Sequence, residues 1–480
     1  VAVLVLLVAT AVVAAEPCAV CQSKEAAALA RSGMGRSFRA VRGDVPDGEF
    51  RHAASGSTVQ VRGATHAVRR GGRTVEGAVA YAVGSGNAGM SFLVRSGEWL
   101  FQSPASYFRN RRAWGPSPGY EKDTTLDFSR PIPEECVFCH AGSAEWVEGS
   151  VNRFRNPAGS LQGIPCERCH GAGTEHAERP SRGNIVNPVR LHGAQRDSVC
   201  EQCHLAGVTR VLNAGKRWRD FAPGGRLEDA WSVYVWPERE LEAALHVVSH
   251  VEQLAASACA AGSRGQLWCG SCHRVHGQER DASAACSSCH ASAQTEGHAA
   301  GRGSCAGCHM PKRPAADGGH TAFTDHRIQR RPKQRLSSAR TQPGTLRAWR
   351  PAPNEARNEG LASIEAGDRL QSAELMQRGF RLLAERQREF ERDPDVLAAL
   401  GYVLLRKNRS REASTLLDHA VRLAPRNVRF RLNLGLALAE SGDVSGARAM
   451  LEEVRRLDPW LDAARLALQQ LPNVVQGPLP

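Results

Sequence analysis

The alternation of apolar and polar residues divides the chain into stretches of different character. Residues 1–14 are apolar apart from Thr10. Residues 24–38 predict a short helix, and the alternating segments between about 57 and 102, broken by glycines, predict a small antiparallel sheet. Beyond residue 354 the chain is rich in Leu, Ala, Arg and Glu and contains no Cys, a composition that favours helices.

The last part of the chain repeats itself with a period of 34 residues. The positions that carry the same residue in both repeats include Gly401 and Gly435, Ala413 and Ala447, and Pro425 and Pro459. This period predicts tetratricopeptide helix pairs, completed to a minimal solenoid by one or more helices before residue 394, with a simple four-helix bundle as the alternative. Such repeats bind peptides or proteins in a concave groove, so a protein or peptide partner is expected here.

The apolar start of the chain predicts a partial signal peptide over residues 1–15. The run is too short to span a bilayer, and the small residues Val13, Ala14 and Ala15 stand before Glu16 as at a cleavage site. A buried N-terminal strand or a lipid-facing anchor is the alternative. Because no second apolar stretch approaches membrane length, we expect an exported, periplasmic bacterial protein with no transmembrane segment in the mature chain.

Cysteine spacing carries the strongest chemical signal in the sequence. Twelve of the 15 cysteines stand in C-x-x-C-H motifs, the attachment signature of c-type haem, where two thiols reach the vinyl groups and the next His reaches the iron. Zinc binding and disulfide formation are the alternative interpretations of these cysteines, but neither requires a His directly after the second Cys. Six haem c groups are therefore expected on the following residues: Cys136-Cys139-His140, Cys166-Cys169-His170, Cys200-Cys203-His204, Cys269-Cys272-His273, Cys286-Cys289-His290 and Cys305-Cys308-His309.

Covalent haem also accounts for two unusual features of the composition. Aromatic residues make up only 6% of the chain, and packed macrocycles would supply the missing apolar core. The formal net charge is +13, and the two propionates of each haem would pair with Arg side chains. A basic chain can also indicate nucleic-acid binding, but the charge is scattered and has this internal use, so no nucleic-acid partner is expected.

A six-coordinate haem iron needs a second axial ligand, and eleven histidines outside the motifs exceed the six required. His276 shares a helix face with His273 and cannot reach the same iron from the opposite side, so it would serve a neighbouring haem. The last three motifs begin at Cys269, Cys286 and Cys305, a density that brings haems close together and suits electron transfer. Bis-His ligation leaves no open iron site, which favours an electron carrier over a catalyst.

Several segments resemble a known family. "YAVGSGNAGMSFLVRSGEWLFQSPASYF", "CVFCHAG", "GIPCERCHGAGTEH", "VCEQCHLAG" and "CAGCHMPKRPAADGGHTAFTDHRIQRR" look like doubled-CxxCH, cytochrome c-552/4-type multihaem cytochromes, many of which carry C-terminal tetratricopeptide repeats. Their haem packing is similar to that of hydroxylamine oxidoreductase and pentahaem nitrite reductase. The resemblance covers roughly residues 16–335 and implies these distal ligands: His52, His176, His250, His276, His298, and His320 or His326.

These observations predict a mainly α fold with a small antiparallel β region, in which a haem-cored multihaem cytochrome c domain precedes a C-terminal α-solenoid. The expected divisions follow the composition: a partial signal peptide at 1–15, the N-terminal part of the cytochrome domain with its β region at 16–130, the six motifs at 131–330, an Arg- and Pro-rich linker at 331–354 and the helical repeats at 355–475.

The expected function is electron transfer to and from redox partner proteins, with the repeats as a docking module. The alternative is a multihaem oxidoreductase that acts on a small nitrogen compound of the nitrite or hydroxylamine type at one open haem. The sequence has no C-x-x-C-K variant of the kind found in pentahaem nitrite reductase, which counts against that chemistry. A scaffold with purely structural haems is a third possibility.

Three cysteines stand outside complete motifs. Cys18 and Cys21 form a C-x-x-C pair followed by Gln22, a departure from the family pattern, since Gln is a poor iron ligand. The pair is a disulfide or dithiol, a seventh haem site with Met34 or Lys24 on the iron, or a sequence error for His; six haems are expected. Cys259 is expected to be a buried thiol.

Overall fold

The computed structural model describes residues 17–42, 45–142, 144–155, 162–237, 245–276, 282–290, 304–319, 321–330 and 345–472. The predicted signal peptide and most of the predicted linker lie outside these ranges. Among the helices that are described, none is both long and apolar enough to cross a membrane.

The N-terminal part of the chain forms two short helices and a β domain. The helices are α1 (Pro17–Cys21) and α2 (Ser23–Arg31). The second overlaps the predicted helical stretch of 24–38 but ends seven residues before it does. The strands are β1 (Phe38–Ala40), β2 (Gly48–Arg51), β3 (Thr58–Arg62), β4 (Thr65–Arg70), β5 (Arg73–Val83), β6 (Gly89–Ser96), β7 (Trp99–Phe108) and β8 (Ala113–Pro116).

These eight strands form one antiparallel sheet in the order β2-β3-β4-β5-β6-β7-β8, with β1 paired to β5. Apolar residues alternate along β3, so that Val59 and Val61 are buried and pack with Phe92 and Trp114 in one core cluster. The expectation of a small sheet between about 57 and 102 was wrong in extent, because short strands at both ends join the sheet from 38 to 116.

The central part of the chain consists of short helices and short strands. The helices are α3 (Glu134–His140), α4 (Glu167–His170), α5 (Thr174–Glu178), α6 (Gly193–His204), α7 (His250–Ala255), α8 (Ala258–Gly262), α9 (Cys269–Cys272), α10 (Ala282–Ser287) and α11 (Cys305–His309). The strands are β9 (Glu145–Trp146), β10 (Phe154–Arg155), β11 (Thr209–Leu212), β12 (Trp231–Val235), β13 (Lys312–Pro314), β14 (Ala322–Thr324) and β15 (Arg347–Ala348).

Strand β12 lies between the motif region and the C-terminal helices. It pairs with β11 on one side and with β15 on the other, so the end of the predicted linker belongs to a sheet. Because side chains alternate along a strand, Trp231 and Val233 pack toward the first and third motifs, while Tyr234 packs toward the C-terminal helices. All five residues of β12 are buried.

The C-terminal region is helical, as predicted. Its helices are α12 (Glu355–Arg369), α13 (Ala373–Ala384), α14 (Pro394–Arg406), α15 (Ser410–Leu423), α16 (Val428–Ser441), α17 (Val444–Leu457) and α18 (Asp462–Gln470). They pack in sequence as antiparallel pairs, and α12 with α13 supplies the helix pair expected before residue 394.

The 34-residue period recurs in the details of the helices. Asp393 and Asn427 stand 34 positions apart, and each caps the first turn of its helix through a side-chain oxygen. At Gly401 a Cβ atom would lie 2.6 Å from Leu417, and at Gly435 it would lie 2.9 Å from Leu451. Glycine at both positions therefore lets the two helices of each pair approach closely.

Arg357, at the start of α12, anchors the helical region to the central sheet. Its guanidinium is buried, bonds to Asp393, donates to an Asp395 carboxylate oxygen at 2.9 Å and donates to the Leu212 carbonyl oxygen at 2.7 Å. The neighbouring Asn358 donates to Ser232 Oγ at 2.9 Å. These bonds cross from the solenoid to both β11 and β12.

Replacing Arg357 with Ala should destabilise this attachment strongly. Its loss leaves the nearly buried Asp393 carboxylate without its cation, which costs about 3–5 kcal/mol in the free energy of unfolding. Urea unfolding followed by circular dichroism measures the effect. Arg378→Ala is the matched control, because the Arg378–Glu359 pair is partly exposed and its loss should cost about 1 kcal/mol or less. Equal losses in the two variants would contradict the assignment.

His66 is a buried, neutral histidine inside the β domain. Its Nδ1 lies 2.7 Å from Ser103 Oγ, and its ring contacts Phe92 and Trp114 edge to face. Burial lowers the pKa of His66 from 6.5 to about 4. The unfolded chain therefore takes up this proton at a higher pH than the folded protein does.

Between pH 6.5 and about 4, the unfolded state binds more protons at His66 than the folded state, so acidification favours unfolding. The free energy of unfolding should fall by up to about 3 kcal/mol relative to a His66→Gln variant over this window, and the difference should be constant above it. Urea unfolding of both proteins at several pH values tests this. Parallel pH profiles for the two proteins would show that His66 does not contribute.

Candidate functional site

The last three C-x-x-C-H motifs lie in a part of the chain with very little apolar core among the described residues, whereas the first and third motifs border apolar clusters. Between residues 245 and 330, the described part of the chain buries only two hydrophobic side chains, Leu245 and Ala315. Helices α8 to α11 are each one or two turns long, and helices of this length are not stable by themselves. Other groups must therefore fill the space between them.

Each motif forms or adjoins one helical turn. The His170 amide donates to the Cys166 carbonyl oxygen at 3.0 Å, and the His273 amide donates to the Cys269 carbonyl oxygen at 2.9 Å. His290 makes the same bond at 3.0 Å. A turn closed in this way places the two thiols of a motif on one side of the helix, followed directly by the imidazole.

Three motif histidines each face a second histidine from a distant part of the chain. The ring centroids of His170 and His276 are 6.1 Å apart, with nearly parallel planes. The centroids are 5.9 Å apart in the His204–His250 pair and 6.1 Å apart in the His273–His326 pair.

This separation fits two axial ligands on one iron. With metal–nitrogen bonds of about 2 Å, imidazoles on opposite sides of a metal ion hold their ring centres about 6 Å apart. The three pairs combine a motif histidine with one predicted distal ligand each. His276, expected to serve a haem other than that of His273, lies beside His170, and its role as a ligand stays a prediction.

Hydrogen bonds set which nitrogen of each ring carries the proton. A carbonyl oxygen only accepts, so Nδ1 of His170 donates to Val186 at 2.7 Å and Nδ1 of His326 donates to Thr324 at 2.9 Å. In both rings Nε2 therefore carries the lone pair that a metal needs. Nδ1 of His250 is buried without a hydrogen-bond partner in the described residues.

The surroundings of His204, His250 and His326 favour the neutral imidazole. Burial and the neighbouring His326 lower the pKa of His250 to about 3. Burial also lowers the pKa of His204 and of His326, and nearby His273 adds to both effects. Only a neutral imidazole has a lone pair for iron, so the electrostatics of the cluster suit metal ligation.

Thiols of different motifs touch one another and connect the motifs in space. Cys203 donates a hydrogen bond to Cys139, and this bond lowers the pKa of Cys139 to about 7. A second bond joins Cys200 to Cys269 and raises the pKa of Cys200. These contacts join the first, third and fourth motifs.

The fifth and sixth motifs are joined in the same way. Burial is the main cause that raises the pKa of Cys286, and a hydrogen bond with Cys305 adds to the rise. Cys272 and Cys259 also lie near Cys286. Cys259, expected to be a buried thiol, is only partly buried.

Buried arginines border the motifs. Arg210 lies 3.1 Å from a Glu135 carboxylate oxygen and 3.6 Å from Cys139 Sγ. The Arg168 guanidinium lies over the Phe138 ring at 4.2 Å from its centroid. Arg210 also donates to the Leu205 carbonyl oxygen at 3.0 Å, and Arg168 donates to the Gly142 carbonyl oxygen at 3.2 Å. The expected pairing of arginines with haem propionates stays a prediction.

Glu201 connects the third motif to the C-terminal region. It stands between Cys200 and Cys203, is 3% exposed and accepts two hydrogen bonds of 2.6 Å from Arg350. Arg350 also donates to Glu228 at 3.1 Å. The sequence analysis missed this triad, because nothing in the local pattern pairs a residue inside a motif with one 149 positions later.

The other predicted distal ligands lie elsewhere. His52 is 2% exposed, and both ring nitrogens are engaged, Nδ1 by Ser55 Oγ and Nε2 by the Tyr120 carbonyl oxygen, each at 2.9 Å. Nδ1 of His176 lies 3.0 Å from the Ser181 carbonyl oxygen. His298 and His320 lie outside the described residues.

The motif histidines not found in these pairs are His140, His290 and His309. Burial lowers the pKa of His140. Nδ1 of His309 donates to the Gln329 carbonyl oxygen at 2.9 Å, as in His170. Among the described residues there is no group of three or more His, Cys, Asp or Glu side chains arranged to hold a metal ion by themselves. The paired arrangement fits a metal whose other ligands come from a macrocycle.

The first cysteine pair lies beside the second motif. Cys18, Gln22 and Met34 border a cleft with about 520 Å³ of empty space, including the part open to solvent. Its opposite wall is formed by side chains of the second motif and its histidine partner: Cys166, Cys169, His170 and His276. Whether the pair is a dithiol, a disulfide or a haem site stays a prediction from the sequence.

The tetratricopeptide repeat family model matches residues 398–459. No curated protein matches the chain. A solved structure, "Crystal Structure of Outer Cell Wall Cytochrome OcwA", is similar with a TM-score of 0.40 and 14% identity over 95% of this chain and 99% of that chain. A likeness at this TM-score is too distant to transfer a function. The family match and the 34-residue recurrence of caps and glycines together establish that residues 398–459 form tetratricopeptide repeats.

Proposed function

We propose that the protein is an exported, periplasmic multihaem c-type cytochrome that transfers electrons and docks partners through its tetratricopeptide repeats. The observation that carries the proposal is the pairing of three motif histidines with three distant histidines at 5.9–6.1 Å. A purely structural zinc site requires no such opposed pairs, since zinc takes four ligands in a tetrahedron.

In this proposal the chain holds six haem c groups through the twelve motif cysteines. His170, His204 and His273 would each ligate one haem iron, together with His276, His250 and His326 respectively. When bound, haem c supplies an iron that gains and loses one electron. Around it, the Nδ1 hydrogen bonds of His170 and His326 would fix the orientation of those imidazoles, and the nearby Arg168 would balance part of the propionate charge.

The thiol contacts favour haems that exchange electrons with their neighbours over haems that lie isolated from one another. Contacts join the first motif to the third, the third to the fourth and the fifth to the sixth. Because the motifs touch through their attachment residues, groups bound to neighbouring motifs would lie close together. Paired axial histidines leave no open iron position at these three motifs, which favours an electron carrier.

The repeats support the docking part of the proposal. They attach to the motif region through Arg357 and through the Arg350–Glu201 pair, so a protein bound to the solenoid stays beside the motifs. Tetratricopeptide repeats act in this way as binding surfaces for other proteins.

The number of haems is the first test. Intact mass of the purified protein should exceed the polypeptide mass by six haem groups, with a seventh increment only if Cys18 and Cys21 also attach one. Reduced-minus-oxidised spectra should show low-spin iron. Attachment of fewer than four haems, or metal without haem, would overturn the proposal.

The ligand pairs are tested by replacing His276, His250 and His326 singly with Ala. Each variant should keep its full haem mass, because the thiols are unchanged, while about one iron in six becomes high-spin because it has lost an axial ligand. Electron paramagnetic resonance and absorbance measure the spin state. His192→Ala is the control, since this exposed histidine is unpaired in our assignment. If one of the three variants keeps an unchanged spin state, the histidine replaced in that variant is not an iron ligand.

A further inference from the structure

A basic cleft lies where the repeats meet the β9–β10 hairpin. It has about 1070 Å³ of empty space, including the part open to solvent, enough for several side chains of a docked segment. Five arginines from both sides of the seam line it: Arg153, Arg155, Arg426, Arg431 and Arg456.

Acidic residues balance only part of this charge. Two acidic residues, Glu148 and Glu453, line the cleft. Glu453 pairs with Arg456 at 2.7 Å, and Glu98 pairs with Arg153 at 2.7 Å, so the five arginines still outnumber the three nearby carboxylates. Within the ranges that the structure describes, Arg155, Arg426 and Arg431 form no ion pair.

The two walls of the cleft are held together by backbone contacts. The Val428 amide donates to the Gly149 carbonyl oxygen at 3.0 Å. Gly149 has a φ of +80°, and a Cβ atom there would lie 2.4 Å from the Arg426 carbonyl oxygen. Nearby, the rings of Phe101 and Trp460 meet with centroids 5.7 Å apart. The cleft is therefore a feature of the assembled chain and does not belong to the repeats alone.

The cleft lies next to the first C-x-x-C-H motif. Trp146 of β9 and Phe154 of β10 pack in the same apolar cluster as Val137 and Ala141, which lie within and directly after helix α3. Helix α3 carries Cys136, Cys139 and His140. A chain segment bound in the cleft would therefore sit beside the first motif.

We propose that this cleft docks an acidic segment of a partner protein. The charge that the chain itself leaves unbalanced selects Asp- and Glu-rich segments, and three arginines from two parts of the fold suit carboxylates spread along a chain. This inference extends the proposed function, because it names the charge class of the partner and the motif at which it docks.

The test uses the full-length holoprotein and an oligo-glutamate peptide, with oligo-lysine and oligo-glutamine peptides of equal length as controls. Isothermal titration calorimetry should show binding of oligo-glutamate only, and binding should weaken as ionic strength rises. Inorganic phosphate at equal charge concentration should compete poorly, since a single small anion cannot bridge the arginines.

A double variant carrying Arg155→Glu and Arg426→Glu should bind oligo-glutamate more weakly by about tenfold or more, because the two substitutions reverse two unbalanced charges on opposite walls of the cleft. The control is a double variant carrying Arg386→Glu and Arg388→Glu, which changes the net charge by the same amount at exposed sites outside the cleft. It should alter oligo-glutamate binding less than about twofold. Circular dichroism confirms that both variants fold.

Equal weakening in both double variants would mean that binding follows net charge alone and would overturn the inference, as would effective competition by phosphate. Measuring the haem mass of the same protein distinguishes failure of the docking inference from failure of the proposed function. Peptide binding by a protein without covalent haem would leave the acidic docking cleft standing and overturn the cytochrome proposal. A full haem complement without peptide binding would leave the cytochrome proposal standing and overturn the acidic docking cleft.

Discussion

The scarcity of buried apolar side chains among the described residues between 245 and 330 constrains everything that packs around this segment. Hydrophobic burial is the main favourable contribution to folding, and Leu245 and Ala315 cannot supply it for several short helices. Imidazole pairs and thiol contacts occupy the places where a core would stand. In the proposed cytochrome, a large apolar prosthetic group held by those same side chains would supply the missing burial.

Strand β12 packs against both the motif region and the C-terminal helices, and so links the two. Its alternate residues face opposite ways, so Trp231 joins the aromatic cluster around Phe138 on the motif side while Tyr234 packs with Ala362 and Ala366 on the solenoid side. The solenoid makes a second contact at the far end of its repeats, through Val428 and Trp460. The tetratricopeptide region thus contacts the motif-bearing part of the chain at both ends.

The sequence predicted features that depend on local patterns and missed those that depend on distant contacts. The 34-residue period follows from capping and close packing inside each helix pair, as at Asp393 and Gly401, and both leave a local residue signature. Strand β15 is only two residues long and exists because β12 is there to pair with it, so the linker interpretation missed it. His52 shows the same limit, because the Tyr120 carbonyl oxygen that engages its Nε2 lies 68 positions away.

The basic character of the chain has two separate uses in the structure. Arg210, Arg350 and Arg357 are buried or nearly so and are committed to carboxylates, carbonyl oxygens or a thiol inside the protein. Their desolvation is tolerable only because those partners are fixed. Arg155 and Arg426 are exposed and form no ion pair within the described residues, so they contribute to the surface potential and not to cohesion. Burial and pairing, rather than the number of arginines, therefore separate the charges that hold the protein together from those available to a partner.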